Sequence, residues 1–434
     1  MIENIKEHYE KISASPVELN EEHHIYIDKK TNYFYNSVTG VLKLISKEFD
    51  QDSVIEGIMR QYNTFTSWFN SINADQSKFI HALELYVNYK QFAPWVWKTW
   101  EGEKYKSPIK KIGDYATLDE FLSEYEVLKA TNSIDRPKNI YYTDKIMSHQ
   151  QIAQMWQDMT DIANHYGNIV HLTLERYLLI VQGLLDEQDV LLSQITDHYL
   201  WVKEHLPVFY EKYYNSKHSF QEYEIDLSLF ELMAHIEEEF KKAQIEMGRC
   251  VVPEKKLLYN NLAGTKDIHV DVDDNTFITG DHKTNKDLST YSKYDQKLLK
   301  PFDSYDDCEM VKYTFQLSIY SFICEQLLNK KVDYLYITYY NRYKKKFRVY
   351  DIEYKKAEAE YLIEMYQNWI EERKRRYLNS SLGNYIKQKI KPEWMDHFSK
   401  GFYYLIDKNK DKSREFFINH IDEYYETYKN LKLC

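Results

Sequence analysis

Near residue 250 the hydrophobic period of the chain switches from helical to alternating, and that switch constrains the fold more than any other feature. The runs VVPEKKLLY, LAGTKDIHVDV and TFITGDHKT follow one another closely, and predict a meander of three strands. Upstream, Ile152, Met155, Met159, Ile162, Tyr166, Val170, Leu174 and Leu178 recur at helical spacing. They predict a long amphipathic helix from Ser148 to about Leu185. Downstream, Glu309 to Leu328 returns to helical spacing, and VDYLYITYY and KFRVYDIEY read as strands again. The resulting order is helix, three strands, helix, strand, which places the chain in the α/β or α+β class.

The flanks are simpler. HIYIDKKTNYFY, from His24 to Tyr35, alternates around a Lys-Lys-Thr-Asn turn and predicts a hairpin. A helix follows, with Ser37 or Thr39 placed to cap it. Val54 to Thr131, including the FAPWVWKTW run, reads as mainly helical, and a polar helix is expected from Asp197 to Tyr214. From about Lys355 the chain is helical and charge-rich. The expected division is an N-terminal hairpin plus helical region over 1–147, serving as a substrate clamp, a core over 148–355, and a helical extension over 356–434.

Composition removes several classes of function. With 11 Gly and 8 Pro, the chain has little material for glycine-rich phosphate loops, which disfavours Walker-type and dinucleotide-binding folds. The net charge of −11 supplies no global positive field, so any nucleic-acid binding needs a local basic groove. Cys250, Cys308, Cys324 and Cys434 form no C-x-x-C pair, which argues against a zinc knuckle or an iron-sulfur cluster and fits a reducing compartment. The N-terminus is charged throughout, and no run of about 18 apolar residues occurs. The expectation is a cytoplasmic protein, of a bacterial cell or a virus-infected host, with no membrane partner.

The chemistry concentrates on the predicted meander. Asp267 in AGTKD and Asp281 in GDHK are equidistant from position 274, inside the Asp-Asp-Asn turn. A hairpin about that centre sets the two carboxylates opposite one another, and alternation sets Lys283 beside Asp281. Two acids and a lysine suit Mg²⁺ or Mn²⁺, which lowers the pKa of bound water while the lysine orients that water or stabilises developing charge. A calcium-loop reading of Asp271, Asp273 and Asn275 fails, because its sixth position is Thr276 and its twelfth is His282, where Gly and a bidentate Glu are needed. On the upstream helix, His171 and Glu175 share a face, with Gly167 one turn before His171. Gln316 and Tyr320 are likewise four apart on the downstream helix.

In order, G-x-x-x-H, then E…G-x-x-D, D-x-K-T and Q-x-x-x-Y resemble the PD-(D/E)XK nuclease superfamily, specifically its RecB-like exonuclease branch, phage exonucleases and the mitochondrial genome maintenance exonuclease included. The resemblance covers about residues 148–355 and extends more loosely to Ser37, Val38 and Thr39. It implies a restriction-endonuclease-like core of order αβββαβ with large helical additions at both ends. It implies His171, Asp267 and Asp281 as metal ligands, the His282 carbonyl completing the shell, and Lys283 as the catalytic lysine. Glu254 resembles the additional acid that serves a second metal, Thr284 completes D-x-K-T, and Gln316 and Tyr320 resemble a substrate-contacting pair. Ser37 or Thr39 would contact a terminal phosphate at a helix N-terminus, or act as a plain N-cap. Two departures stand out: Lys266 beside the first acid, and about 32 residues between Lys283 and Gln316.

The expected function is a metal-dependent DNA exonuclease using one or two Mg²⁺ or Mn²⁺ ions and no iron-sulfur cluster. Its expected substrate is DNA with a free end and at least partly single-stranded, in replication, recombination or repair, with proteins of those processes as partners. The alternatives are a structure-specific endonuclease of the same fold and a non-catalytic DNA-binding subunit. Candidate phosphate contacts are Lys104, Lys106, Lys110 and Lys111, and Arg342, Lys344, Lys345 and Lys346; each group also reads as a solvated loop. Trp95, Trp97 and Trp100 read as base-stacking residues or as core.

Overall fold

The structure, a computed structural model, describes residues 5–15, 17–20, 25–28, 34–90, 95–100, 103–108, 110–131, 147–185, 200–207, 250–260, 262–285, 288–292, 295–341 and 346–380, with Asn384 and Gln388. The first elements are α1 (Ile5–Ser13), β1 (Val17–Asn20), β2 (Ile25–Asp28), β3 (Phe34–Ser37) and α2 (Val38–Lys43). Next come α3 (Gln51–Ser71), α4 (Phe79–Lys90), β4 (Trp95–Trp100), β5 (Glu103–Pro108), α5 (Leu118–Thr131) and α6 (His149–Val181). The last are β6 (Val251–Tyr259), β7 (Leu262–Asp271), β8 (Thr276–Lys283), α7 (Glu309–Leu328), β9 (Lys331–Asn341), β10 (Lys346–Asp351) and α8 (Lys356–Leu378). This is a mixed α/β fold.

The chain divides into two compact units: Met1–Glu48, Gly167–Gln194 and Ser228–Cys434 form one, and Phe49–Tyr166 with Ile195–Leu227 form the other. The first 48 residues therefore group with the later strands, because β3 pairs in parallel with β7 through Asn36↔Leu262 and Ser37↔Ala263. That join extends the sheet to eight strands, in the order β1-β2-β3-β7-β8-β9-β10 with β6 also paired to β7. Strand β1 was not expected from the sequence, since its four residues are too short to show a period.

In the first unit, α7 is the buried element. From Phe315 to Cys324 nearly every side chain is inaccessible, as expected of a helix that is apolar on all sides. It packs with Val38 and Val41 of α2, Phe277 of β8 and Leu362 and Tyr366 of α8 in one cluster. Two glycines permit its approach and that of β9. A Cβ on Gly264 would stand 2.6 Å from the Tyr320 ring, and one on Gly280 2.3 Å from Tyr336. In the second unit, α3, α4 and α5 enclose an aromatic core in which the Phe65 ring centre lies between 5.3 Å (Tyr86) and 6.0 Å (Phe121) from those of Trp68, Phe69, Phe79, Tyr86 and Phe121.

One expected element is corrected. Residues 95–100 and 103–108 form an antiparallel hairpin rather than helix, with Trp97 opposite Lys106. Aromatic and β-branched residues favour the pleated backbone, and in WVWKTW that preference prevails over the helical context upstream. The side chains of Trp95, Trp97, Trp100, Lys104, Lys106 and Lys346 lie outside the described set, as do Arg342, Lys344, Lys345 and most of the expected helix over 197–214. Among the described residues, no helix is long and apolar enough to cross a membrane.

Candidate active site

The β7–β8 hairpin carries the register that its turn predicts. Ile268 faces Gly280, His269 faces Thr279 and Asp271 faces Phe277, so one further step sets Asp267 against Asp281. The turn is closed by Asp273, whose Oδ1 accepts the backbone N–H groups of Asn275 and Thr276, each at 2.7 Å. On the other side of β7, the ladder to β6 is interrupted between Pro253↔Ile268 and Lys255↔Lys266, the step where Glu254 and Asp267 stand. Glu254 sits there at φ 48, a left-handed backbone that a non-glycine residue adopts only when its surroundings impose it, at a cost of about 1–3 kcal/mol.

Helix α6 brings His171 to this step. Its Nδ1 lies 3.5 Å from Glu254 Oε1 and 3.5 Å from Asp267 Oδ2. One ligand atom from each of His171, Glu254 and Asp267 falls within 4.8 Å of the others. Gly167 faces the end of β8 without being required there, since a Cβ would meet Thr284 Oγ1 at an ordinary 3.5 Å. His282 enters through its backbone, whose N–H donates to Asp267 Oδ2 at 2.6 Å. Its ring is fixed by a hydrogen bond between Nδ1 and Thr338 Oγ1 and lies edge-on to His171 at 5.9 Å.

The electrostatics are those of too many carboxylates in too little water. Burial, then the neighbouring Asp267, push the Asp281 carboxyl up to about 7 against the pull of Lys283. Lys283 Nζ lies 2.5 Å from Asp281 Oδ2. Burial alone would lower its pKa, but Asp281 and then Asp267 outweigh burial and raise it, so the lysine stays cationic. His171 follows the same pattern: burial opposes its charge, yet Asp267 and Glu254 lift it to about 9. His282 is driven the other way, down to about 3, by burial and by the nearby His171. Glu175, one turn beyond His171, is raised by burial and by Glu254.

The grouping of His171, Glu254 and Asp267 is compatible with a divalent cation. Two imidazole-bridged carboxylates and a third acid held partly protonated form an oxygen-and-nitrogen donor set with unneutralised negative charge. The structure thus brings together His171, Glu254, Asp267, Asp281 and Lys283. Gln316 and Tyr320 meet each other on α7, where Gln316 Nε2 donates to the Tyr320 hydroxyl at 3.4 Å and the buried Tyr320 ring covers Gly264, three residues before Asp267. Ser37 and Thr39 stand at the start of α2, where Ser37 Oγ accepts from Gly40 N at 3.3 Å and lies 2.5 Å from Thr39 Oγ1. Of the basic candidates, Lys110 is engaged with Glu120.

Two residues escaped the sequence reading. The Lys283 ammonium sits 4.5 Å from the centre of the Tyr313 ring, and Asn285 Nδ2 donates to the Tyr313 hydroxyl at 2.7 Å. Both carried a signal, since Asn285 extends the alternation 281, 283, 285 and Tyr313 lies three residues before Gln316 on α7.

No protein-family model matches the chain, and no curated protein matches it. Among solved structures, it is similar to a protein described as a "putative exonuclease" from Eubacterium rectale. The identity is 15%, the TM-score is 0.23, and the match covers 44% of this chain and 70% of the other.

Proposed function

We propose that this protein is a divalent-metal-dependent deoxyribonuclease of the PD-(D/E)XK type, acting as an exonuclease on linear DNA. The observation that carries the proposal is the convergence of His171, Glu254, Asp267 and Asp281 with a buried, cationic Lys283. Asp267, Asp281 and His171 would hold Mg²⁺ or Mn²⁺ with the His282 carbonyl, and Glu254 would serve the same or a second ion. When bound, the ion supplies Lewis-acid charge to a phosphoryl oxygen and lowers the pKa of water.

The rest is assigned to the chain itself. In the metal-free protein Asp281 and then Asp267 outweigh burial and raise the pKa of Lys283, so the lysine holds its proton on Nζ. Its role is to donate a hydrogen bond and stabilise the charge that develops as the phosphodiester is attacked. The Tyr313 ring behind the ammonium fixes its position without competing for its protons. Thr338 and the His282 N–H hold the β8 end and the Asp267 carboxylate in place, as outer partners do at metal sites.

The test is digestion of matched linear and circular DNA, single- and double-stranded, with Mg²⁺, Mn²⁺ or EDTA. The expected result is metal-dependent loss of linear DNA alone, abolished by Asp281→Ala and by Lys283→Ala. Cleavage of circles would replace the exonuclease reading with an endonuclease of the same fold, and binding without cleavage would replace it with a non-catalytic subunit.

A further inference from the structure

The stretch of chain between β8 and α7 closes back on the strand end that carries Lys283. Asn285 stands two residues beyond Lys283, and Glu309 is the first residue of α7. The two meet, with Asn285 Nδ2 donating to Glu309 Oε1 at 3.3 Å. The same amide nitrogen donates to the Tyr313 hydroxyl at 2.7 Å, which uses both of its N–H bonds. The Tyr313 ring in turn lies 4.5 Å from Lys283 Nζ.

Glu309 is itself anchored. Its Oε2 accepts the Ser289 N–H at 3.0 Å, and its own N–H donates to Ser289 Oγ at 3.3 Å. The Met310 N–H donates to the Ser289 carbonyl at 3.0 Å. Together these bonds satisfy the start of α7, where Cys308 at the N-cap position makes no side-chain hydrogen bond. Helix capping accounts for Oε2 alone. The other oxygen, Oε1, is turned to Asn285.

A lysine ends in a compact charge on a flexible four-carbon stem, so a single ion pair does not fix where its ammonium stands. Lys283 has the Asp281 carboxylate on one side and the Tyr313 ring on another, and the ring is a useful second wall only if its own axis is held. Asn285 holds the far end of that axis. We propose that Asn285 and Glu309 are positioning residues for Lys283, acting through the Tyr313 ring, a role that rests on the nuclease reading for its consequence in catalysis. The acid holds the amide, the amide holds the phenol, and the face of the phenol ring holds the ammonium. The long stretch between Lys283 and Gln316 thereby gains a task at the active site.

The test reads both rate and position in the full-length protein. Tyr313→Phe keeps the ring and removes the hydroxyl, and Asn285→Ala removes the amide while leaving the bonds between Glu309 and Ser289 in place. On linear DNA with Mn²⁺, each should lower kcat about tenfold with KM little changed, the scale of losing an outer partner that orients a site residue. The double variant should be no slower than either single one, because both interrupt the same chain of contacts. Glu309→Asp keeps the charge at the helix start but is too short to reach both partners, and it should slow cleavage like Asn285→Ala. Ser289→Ala, which loosens the cap alone, should keep the full rate. Position is read without metal or DNA, from the magnetic-resonance signal of the Lys283 ammonium in protein isotopically labelled at lysine Nζ, assigned by its loss in Lys283→Arg. The face of a ring shifts that signal upfield, and the shift should change by the same amount in Asn285→Ala, Tyr313→Phe and the double variant. Unchanged rates, additive losses of rate, full activity in Glu309→Asp, or an ammonium signal that does not move would overturn the proposal and leave the nuclease reading intact. Ammonium signals that move together in a protein that cleaves nothing keep the positioning and overturn the nuclease reading.

Discussion

Asp267 and Asp271 stand four residues apart on the same strand, and their surroundings are opposite in kind. Asp271 is a settled carboxylate. Its oxygens lie 2.9 Å from His8 Nε2, 2.8 Å from Lys330 Nζ and 3.3 Å from His269 Nε2. Burial alone would raise its pKa, but the adjacent His269 and the hydrogen-bonded Lys330 ammonium outweigh burial and hold it far below the usual carboxylate range. Asp267 shares its end of β7 with Asp281 and Glu254, and there the excess negative charge is relieved by holding protons on Asp281 and His171. One end of the strand has spent its charge on structure, and the other keeps it in reserve for a cation.

The largest expected effect tests that division through catalysis and stability together. Asp281→Asn should reduce cleavage on the order of a thousandfold, the scale of several kcal/mol of lost transition-state stabilisation. Asp271→Asn should leave cleavage by the folded protein in place but lower stability by about 2 kcal/mol, because it removes the charge paired with the Lys330 ammonium, which keeps only the Asp273 carbonyl. In metal-free buffer the two stability effects should differ in their dependence on pH. A carboxyl raised to about 7 binds more protons folded than unfolded between about pH 4 and 7, so ionised Asp281 costs stability as pH rises through that window. Relative to the unmutated protein, Asp281→Asn should therefore gain stability from pH 5 to pH 8. Asp271 has a depressed pKa, so its contribution is present above about pH 4 and is lost as pH falls below that. Urea unfolding of both variants at pH 5 and pH 8 makes the measurement, and equal destabilisation by both substitutions would break the comparison.

What the sequence made legible follows the same division. The Asp267–Asp281 register could be read because a hairpin has one centre and a period of two, so the turn fixes every pair along it. His171 was readable as a residue on a helix, but its distance to Glu254 depends on how α6 meets β6, which no local pattern encodes. The parallel β3–β7 join was hidden for the same reason: it links residues more than 200 positions apart through two backbone pairs. Glu254 offered a single acid in a strand, and nothing in VVPEKKLLY signals the left-handed backbone that turns it into the site. The buried Lys266 looked like a departure from pattern; it proves to be housed on the Phe277 ring with its ammonium donating to Thr279 Oγ1 at 3.0 Å.

A second, smaller effect sharpens the contrast by adding the cation. Mn²⁺ or Mg²⁺ at 100 times its dissociation constant should stabilise the protein by about 2.7 kcal/mol and leave Asp267→Asn unaffected. Binding must displace the proton that His171 holds up to about pH 9 and the one that Asp281 holds up to about pH 7. Affinity should therefore rise with pH from 6 to 9, with proton release measurable by calorimetry in buffers of different ionisation enthalpy. A flat affinity over that range would place the cation away from these two residues.

The smallest expected effect concerns Ser37, whose two readings make different demands on charge. As an N-cap, its hydroxyl accepts the Gly40 N–H, and Ser37→Ala should cost about 1 kcal/mol. Asp caps a helix as well as Ser, so Ser37→Asp should recover that stability. A carboxylate at a terminal-phosphate contact would instead repel the phosphate and erase any preference for a phosphorylated end. The Ser37 hydroxyl is already engaged with Gly40 and Thr39, and α2 has only six residues to lend its dipole. The expected outcome is accordingly that of a cap: Ser37→Asp digests 5′-phosphorylated and 5′-hydroxyl linear DNA in the same ratio of rates as the unmutated protein, whereas a lower ratio would return Ser37 to the substrate path.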